Sequence, residues 1–528
     1  MRARWPLRFI LAAVCGVGAG CGFNNLALWI VTLLGVAGLS CLIETRQRVW
    51  QTLLIGLAFG LGLAGSTLNW MAAIFVEAMV AITVAVALFY VAVALAIRYA
   101  KRVAAWPFLA AGIWAAQEAL ISRQPFDGFG WVRLGYAMLE SPLAFGYPLI
   151  GVAGVSFLAA LLAQCAAWVV SRPKSWPAAL ATALLALAVC LPGALVQAGA
   201  SSGRVSVGWV QGGAPGGGVY GLGEARTITK NEVAGTLELA QQIAAGALPA
   251  ADFVVWPENG TDLDPFADGQ TRQLVEQAVA AIRVPLLVGI ISNGPGPNER
   301  QTVSQWWDAS GPGARYAKRG IVPFGEWVPY RDILEPLIPK LSYVGAQSVP
   351  GTEPGVMPVE LAAGDIRIGI LLCYDVTFDE YVYDLVRGDA DIIVVQSSNA
   401  MYQGTGQISQ QFAMTRVRAA ELRREALVVT TSGISGLIAS DGSVVWSSGN
   451  GQLFGVDELD LRTGRTPVTY LQPWLELAIA FATVIGLCCA FALGRSRRSG
   501  TMDDAAGVGG KQDGSGPCAS GDSDVQRS

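Results

Sequence analysis

Long apolar runs limit what this chain can fold into more than any other feature. About 20 apolar residues in a helix cross the hydrocarbon layer of a bilayer. Runs of that kind lie near 7–22, 25–43, 52–69, 72–97, 103–121, 143–170 and 177–198, and one more lies near 473–494. Charged residues make up only 14% of the 528-residue chain, about half the usual share of a soluble protein. A fully soluble fold is therefore excluded. The first run has the length of a signal peptide, but no small-residue cleavage site with a polar start follows it. It is read as a span.

Charge placement gives the expected orientation. Thirteen basic residues fall in loops that alternate spans would place on one side: Arg2, Arg4 and Arg8, Arg46 and Arg48, Arg98, Lys101 and Arg102, Arg172 and Lys174, and Arg495, Arg497 and Arg498. The opposite short loops hold two, Arg123 and Arg133. The positive-inside rule places the first set in the cytoplasm. The expected organisation is a polytopic α-helical membrane domain of seven helices over 1–198, an extracytoplasmic domain over 199–472, an eighth helix over 473–494 and a disordered cytoplasmic tail over 495–528. That puts the protein in the cytoplasmic (inner) membrane, multi-pass, with both termini cytoplasmic. Glu77 and Glu118 fall within apolar spans and are candidates for snorkelling or structural pairing.

Residues 204–460 change character. Arg204–Val210, Asp252–Trp256, Pro285–Ser292, Ile366–Leu372, Asp391–Gln396 and Ala426–Thr430 read as strands, and 223–246, 268–282 and 407–424 read as helices. This alternation predicts an α/β domain. Its polar residues cluster just after strands, where α/β sheets place their sites.

Three such places carry chemistry. Glu258 follows the strand DFVVW, and a carboxylate at a buried strand end is a candidate base. Lys318 leads into Val322–Glu326 and offers positive charge to an oxyanion. Cys373 ends the strand Ile366–Leu372, where a strand-to-helix turn exposes sulfur beside backbone N–H groups. The other cysteines, Cys518 apart, lie in or beside apolar runs, and no CxxC pair occurs, so neither a disulfide framework nor a zinc site is expected. The chain has no histidine, which excludes Ser/His/Asp and Cys/His chemistry. A cysteine nucleophile here must use a carboxylate as base. The net charge of −4 argues against a nucleic-acid partner.

Four stretches in order, Trp256-Pro257-Glu258-Asn259, the segment KRGIVPFGEWVP from Lys318, Leu371-Leu372-Cys373-Tyr374-Asp375 and the segment SNAMY from Ser398, resemble the nitrilase (carbon–nitrogen hydrolase) superfamily. With such a domain set between seven spans and one, nearly the whole chain resembles the apolipoprotein N-acyltransferase family. The outer loop Gly128–Tyr136 and Val210-Gln211-Gly212 are similar to family segments as well. The resemblance implies an αββα sandwich with Glu258 as general base, Lys318 as transition-state stabiliser and Cys373 as acylated nucleophile. It makes Glu326 a supporting acid and the Tyr374 N–H part of an oxyanion hole. Tyr220, Trp131 and Asn399 become candidate gating residues. Departures are Asp375 where the family often has Glu, Tyr220 where it has a tryptophan, Gly130 where it has proline before Trp131, and the glycine-rich stretch 212–224.

The implied reaction moves a fatty acyl chain from a phospholipid, through a thioester on Cys373, to the α-amine of S-diacylglyceryl-cysteine on a lipoprotein. It implies a phospholipid donor, an apolipoprotein acceptor and surrounding membrane lipids, with no cofactor and no metal. Phe324, Trp327, Ile338 and Leu341 are candidate lining residues for an apolar entry. Two alternatives are a membrane-anchored amide hydrolase of the same superfamily and an inactive scaffold. Eight spans argue against the first and the complete triad against the second.

Overall fold

A computed structural model describes residues 5–197, 199–218 and 221–507, with side chains to residue 492. The candidate gating residue Tyr220 lies outside the described residues. The first seven apolar runs form α1 (Trp5–Asn24), α2 (Trp29–Leu42), α3 (Val49–Thr67), α4 (Val76–Ala100), α5 (Trp106–Ile121), α6 (Tyr147–Ser171) and α7 (Trp176–Cys190). Close approach of α1 to α3 depends on a missing side chain: a Cβ at Gly16 would sit 2.1 Å from the Phe59 carbonyl oxygen. Small residues bring backbones together where lipid supplies no hydrophobic drive between helices. The outward surface is apolar, with Leu34 and Leu88 among the exposed large side chains. That is the reverse of a soluble fold.

The α/β segment folds as two stacked sheets flanked by helices. The first sheet contains β1 (Ser201–Gln211), β2 (Phe253–Val255), β3 (Leu286–Asn293), β4 (Glu299–Asp308), β5 (Gly311–Ala317) and the short β6 (Gln347–Ser348). The second contains β7 (Val356–Val359), β8 (Ile366–Leu372), β9 (Ile392–Ser397), β10 (Ala426–Thr430), β11 (Gly436–Ile438) and β12 (Val444–Ser447). The last strand, β13 (Leu453–Arg462), returns to pair antiparallel with β1. The helices are α8 (Thr227–Ala244), α9 (Gly269–Ile282), α10 (Arg331–Leu337), α11 (Asp379–Arg387), α12 (Gly406–Leu422) and α13 (Val468–Leu471).

Period-two alternation fills the layers. Ile368, Ile370 and Leu372 of β8 face Val205, Val207 and Phe253 between the sheets. Leu371 faces the other way and joins Val382 of α11 and Val417 of α12. That outer layer is continuous with membrane-helix residues such as Val152 and Val155, so the two domains share a core. On the far face, α8 and α9 cover the first sheet through Leu239, Val275 and Val279.

The last helix, α14, runs Trp474–Gly507. It passes the expected boundary at 494 and takes in 495–507, a stretch whose Arg, Met and Ala residues favour helix. Among the described residues, six helices are long and apolar enough to cross a membrane. The sequence reading expected eight. The run 25–43 is shortened because Asn25 accepts from the Ala27 N–H and starts a 3₁₀ turn, leaving 14 residues in α2. The run 103–121 loses its first residues because α5 begins only at Trp106, with Pro107 in its first turn, and keeps 16.

Candidate active site

The proposed triad converges from three strand ends. Glu258 lies three residues past β2, Lys318 immediately follows β5 and Cys373 immediately follows β8. Lys318 is buried, and its ammonium donates to Glu258 Oε1 at 2.9 Å and to Glu326 Oε1 at 2.7 Å. The second oxygen of Glu258 accepts the Ser398 N–H at 3.1 Å, and that of Glu326 accepts the Val322 N–H at 2.8 Å. Both carboxylates are thus held by one cation and one backbone donor. Burial opposes the charge on Lys318, but the facing carboxylates outweigh it and hold its pKa well above the ordinary lysine range.

Cys373 adopts φ +49°, the left-handed region. Non-glycine residues are uncommon there and cluster at functional turns. The turn starts a 3₁₀ helix over Cys373–Thr377, and the Tyr374 N–H lies in its first turn, where N–H groups have no partner within the helix. The turn is braced by Asp375, whose carboxylate accepts from the Leu372 N–H at 3.0 Å, the Gly320 N–H at 2.7 Å and the Tyr316 hydroxyl at 3.0 Å. Burial raises the thiol pKa, Glu258 and Glu326 add to the rise, and Lys318 lowers it. The thiol is consequently protonated at neutral pH and needs a base before it can attack.

The sequence reading missed Gln411, whose Nε2 donates to Cys373 Sγ at 3.3 Å. Its neighbour Gln410 is held on all sides. It accepts from Trp131 Nε1 at 2.7 Å and Trp70 Nε1 at 3.0 Å, and it donates to Asn24 Oδ1 and the Thr67 carbonyl, both at 2.9 Å. One turn of α12 therefore touches both Cys373 and the ends of α1 and α3. No motif signals this, since glutamines on a helix read as an ordinary polar face.

Trp131 is buried, and its ring stacks 6.3 Å from Tyr374. Asn399 is buried in the left-handed region beside Ser398, with Oδ1 unpartnered among the described residues. Phe324 and Trp327 gather around Phe126 at 5.9 and 6.4 Å, and Tyr330 joins them at 6.0 Å. Ile338 is exposed and Leu341 half-buried. Lys340 reaches Glu77 at the start of α4 at 2.7 Å, so Glu77 is paired with the catalytic domain. Glu118 is buried and accepts from Trp114 Nε1 at 3.0 Å and the Leu134 N–H at 2.8 Å.

The chain matches two family profiles. Residues 15–165 match the apolipoprotein N-acyltransferase N-terminal domain, and residues 217–463 match carbon–nitrogen hydrolase. An apolipoprotein N-acyltransferase of Mycolicibacterium smegmatis is 34% identical over 321 residues, covering 59% of this chain and 53% of that protein. The chain thus spans about half the length of that relative. One from Photobacterium profundum is 25% identical over 533 residues, covering 95% of this chain and 98% of the relative. Among solved structures, a mutant of a Nesterenkonia amidase from the nitrilase superfamily is 13% identical with a TM-score of 0.37, covering 51% of this chain and 94% of that one.

The segment that matches carbon–nitrogen hydrolase shares its core with helices long and apolar enough to cross a membrane. The chain's N-terminal helices match the apolipoprotein N-acyltransferase N-terminal domain, and the chain is similar along nearly its full length to a protein of that family.

Proposed function

We propose that the protein N-acylates lipoproteins, taking a fatty acyl chain from a phospholipid and delivering it to the α-amine of an S-diacylglyceryl-cysteine. The observation that supports this most is the Lys318 ammonium held between Glu258 and Glu326 beside a cysteine in a left-handed turn. Glu258 takes the thiol proton as Cys373 Sγ attacks the ester carbonyl of the donor. The oxyanion is held by Lys318 and the Tyr374 N–H. Collapse expels the lysophospholipid alkoxide, which receives the proton from Glu258 and leaves a thioester. The acceptor amine then attacks the thioester and gives its proton to Glu258. The thiol is released and an amide remains. Glu258 carries the proton in both halves of this ping-pong scheme, and returns it to the departing Cys373 sulfur in the second.

In this reading both substrates stay in the bilayer and reach the site past the Phe126, Phe324 and Trp327 rings. Asn399, Trp131 and Tyr220 govern access in this reading. All eight apolar runs cross the inner membrane, the two short helices included. Residues 199–472 face the extracytoplasmic side and both termini face the cytoplasm, as the distribution of basic residues requires.

The test incubates purified protein with phospholipid and a diacylglyceryl lipopeptide. Mass spectrometry is expected to find one added acyl chain as an amide. With phospholipid alone, an acyl group releasable by neutral hydroxylamine is expected on Cys373, and Cys373→Ser is expected to abolish it. Release of free fatty acid with no acylated lipopeptide would instead assign an amide- or ester-hydrolase activity.

A further inference from the structure

The ends of four membrane helices line an open cavity on the face opposite the catalytic domain. Helix α4 begins beside Lys340 of that domain, and Lys101 follows its far end. There the ends of α2, α4 and α6 meet the start of α5 around a cavity of about 290 Å³, lined by Thr45, Arg46, Lys101, Trp106, Ser171 and Arg172. Glu44 is its only acid and is already paired with Arg8.

The cations in this cavity are not spent on one another. Arg46 and Arg172 are exposed, and neither guanidinium has a partner among the described residues. The Lys101 ammonium donates to the carbonyls of Ser40 and of Ile43, the latter at 2.8 Å, and lies 4.9 Å over the Trp106 ring. Those contacts fix its position and use two of its three protons. Arg98, one turn earlier, donates to the Thr45 carbonyl at 3.3 Å, while its Nε and Nη1 are buried without a partner. The N-terminus of α5 lies here too, with no side chain capping it at Ala105 and with Pro107 removing one N–H from its first turn. Basic loop residues ordinarily point separately into water. Here they converge on a concave site together with the positive end of a helix.

We propose that this cavity binds the phosphate head group of an anionic phospholipid from the leaflet on that side. Guanidinium forks and a free helix N-terminus match phosphate oxygens. Basic pockets between membrane helices on the positive side are suited to anionic head groups. A lipid source, rather than a soluble phosphate, follows from the flanks: Val170 and Trp176, on either side of Ser171 and Arg172, are large and exposed and offer an apolar wall to acyl chains.

The experiment uses the full-length chain, delipidated in detergent, with a photoreactive phosphatidylglycerol and peptide mapping of the adduct. Labelling is expected in the peptides holding Arg46, Lys101–Trp106 or Arg172. In the double variant Arg46→Gln/Arg172→Gln the apparent affinity is expected to fall about 30-fold, since each basic residue near an anionic head group adds roughly the same increment. Both side chains lack protein partners, so the variant is expected to elute as a single folded species with an unchanged melting temperature. Undiminished labelling in the folded variant, or labelling confined to other peptides, overturns the proposal. Equal labelling by a phosphatidylcholine analogue overturns the anionic preference. Displacement by glycerol 3-phosphate at concentrations matching the lipid assigns the site to a soluble phosphate and overturns the lipid source.

Discussion

At the scale of single residues, the site turns on how a protonated thiol is activated without histidine. Gln411 is the one side chain among the described residues that donates to Cys373 Sγ. A hydrogen bond to an ionised group contributes more than one to a neutral group, so Gln411 favours the thiolate. Gln411→Ala is expected to slow alkylation of Cys373 by a small neutral reagent about tenfold at neutral pH. Glu258→Gln and Lys318→Met remove the base and the cation, and each is expected to lower turnover by about 10²–10⁴-fold. Asp375 sets a pH limit. Burial pushes its carboxyl up to about 6, above the ordinary aspartate value of about 3.9. The folded protein keeps this proton in the window between those values after the unfolded chain has lost it, so stability from this group falls as pH rises through the window. Activity is expected to run the other way. All three of its bonds come from donors, and a proton on the carboxyl displaces one of them from the Cys373 turn. A pH–rate profile for thioester formation is expected to drop below about pH 6, and Asp375→Asn to remove that limb.

At the scale of elements, α12 joins the catalytic turn to the membrane helices. Arg418 donates to the Val376 carbonyl at 2.8 Å, three residues past Cys373, and pairs with Asp379 at 2.8 Å and Glu421 at 2.7 Å. Glu421 also accepts the Val152 N–H at 2.7 Å, a donor freed where α6 kinks at Gly151. A Cβ at Gly151, whose φ is +64°, would lie 2.7 Å from the Tyr383 hydroxyl, so the kink suits glycine alone. Removing one partner of a buried ion pair leaves the other charge uncompensated. Glu421→Ala is therefore expected to destabilise the protein by about 3–5 kcal/mol, read as a lower melting temperature in detergent. Glu421→Gln keeps the bond from Val152 and is expected to cost less.

For the whole molecule, the two domains behave as one packed body. Arg133 pairs with Asp379 at 2.8 Å and with Glu476 at 3.4 Å, and Arg123 also pairs with Glu476, so the loop between α5 and α6, the start of α11 and α14 meet in one charged network. Arg123 and Arg133 are thus both tied to α14. An impermeant amine label applied to spheroplasts is expected to modify Lys230 in the catalytic domain and spare Lys174. Labelling of Lys174 alone would reverse the orientation.

The chain's own pattern determined the apolar helices, the strands at 204–210, 252–256, 366–372 and 426–430, and the order of Glu258, Lys318 and Cys373. Those signals are local: hydrophobic length, period-two alternation and short motifs at strand ends. The strands β4 and β5 escaped because β4 buries Thr302, Ser304 and Gln305 among its apolar residues, which erases the alternation. Gln305 is accommodated there only because its Nε2 bonds the carbonyls of Trp306 and Gly313. Tertiary structure alone decided that Lys318 sits between two carboxylates, that Gln411 reaches the thiol, and that Arg133, Asp379 and Glu476 share one network. Apart from Glu326, eight residues past Lys318, those partners lie far apart in sequence, and only the stacking of two sheets against the membrane helices brings them within hydrogen-bonding distance.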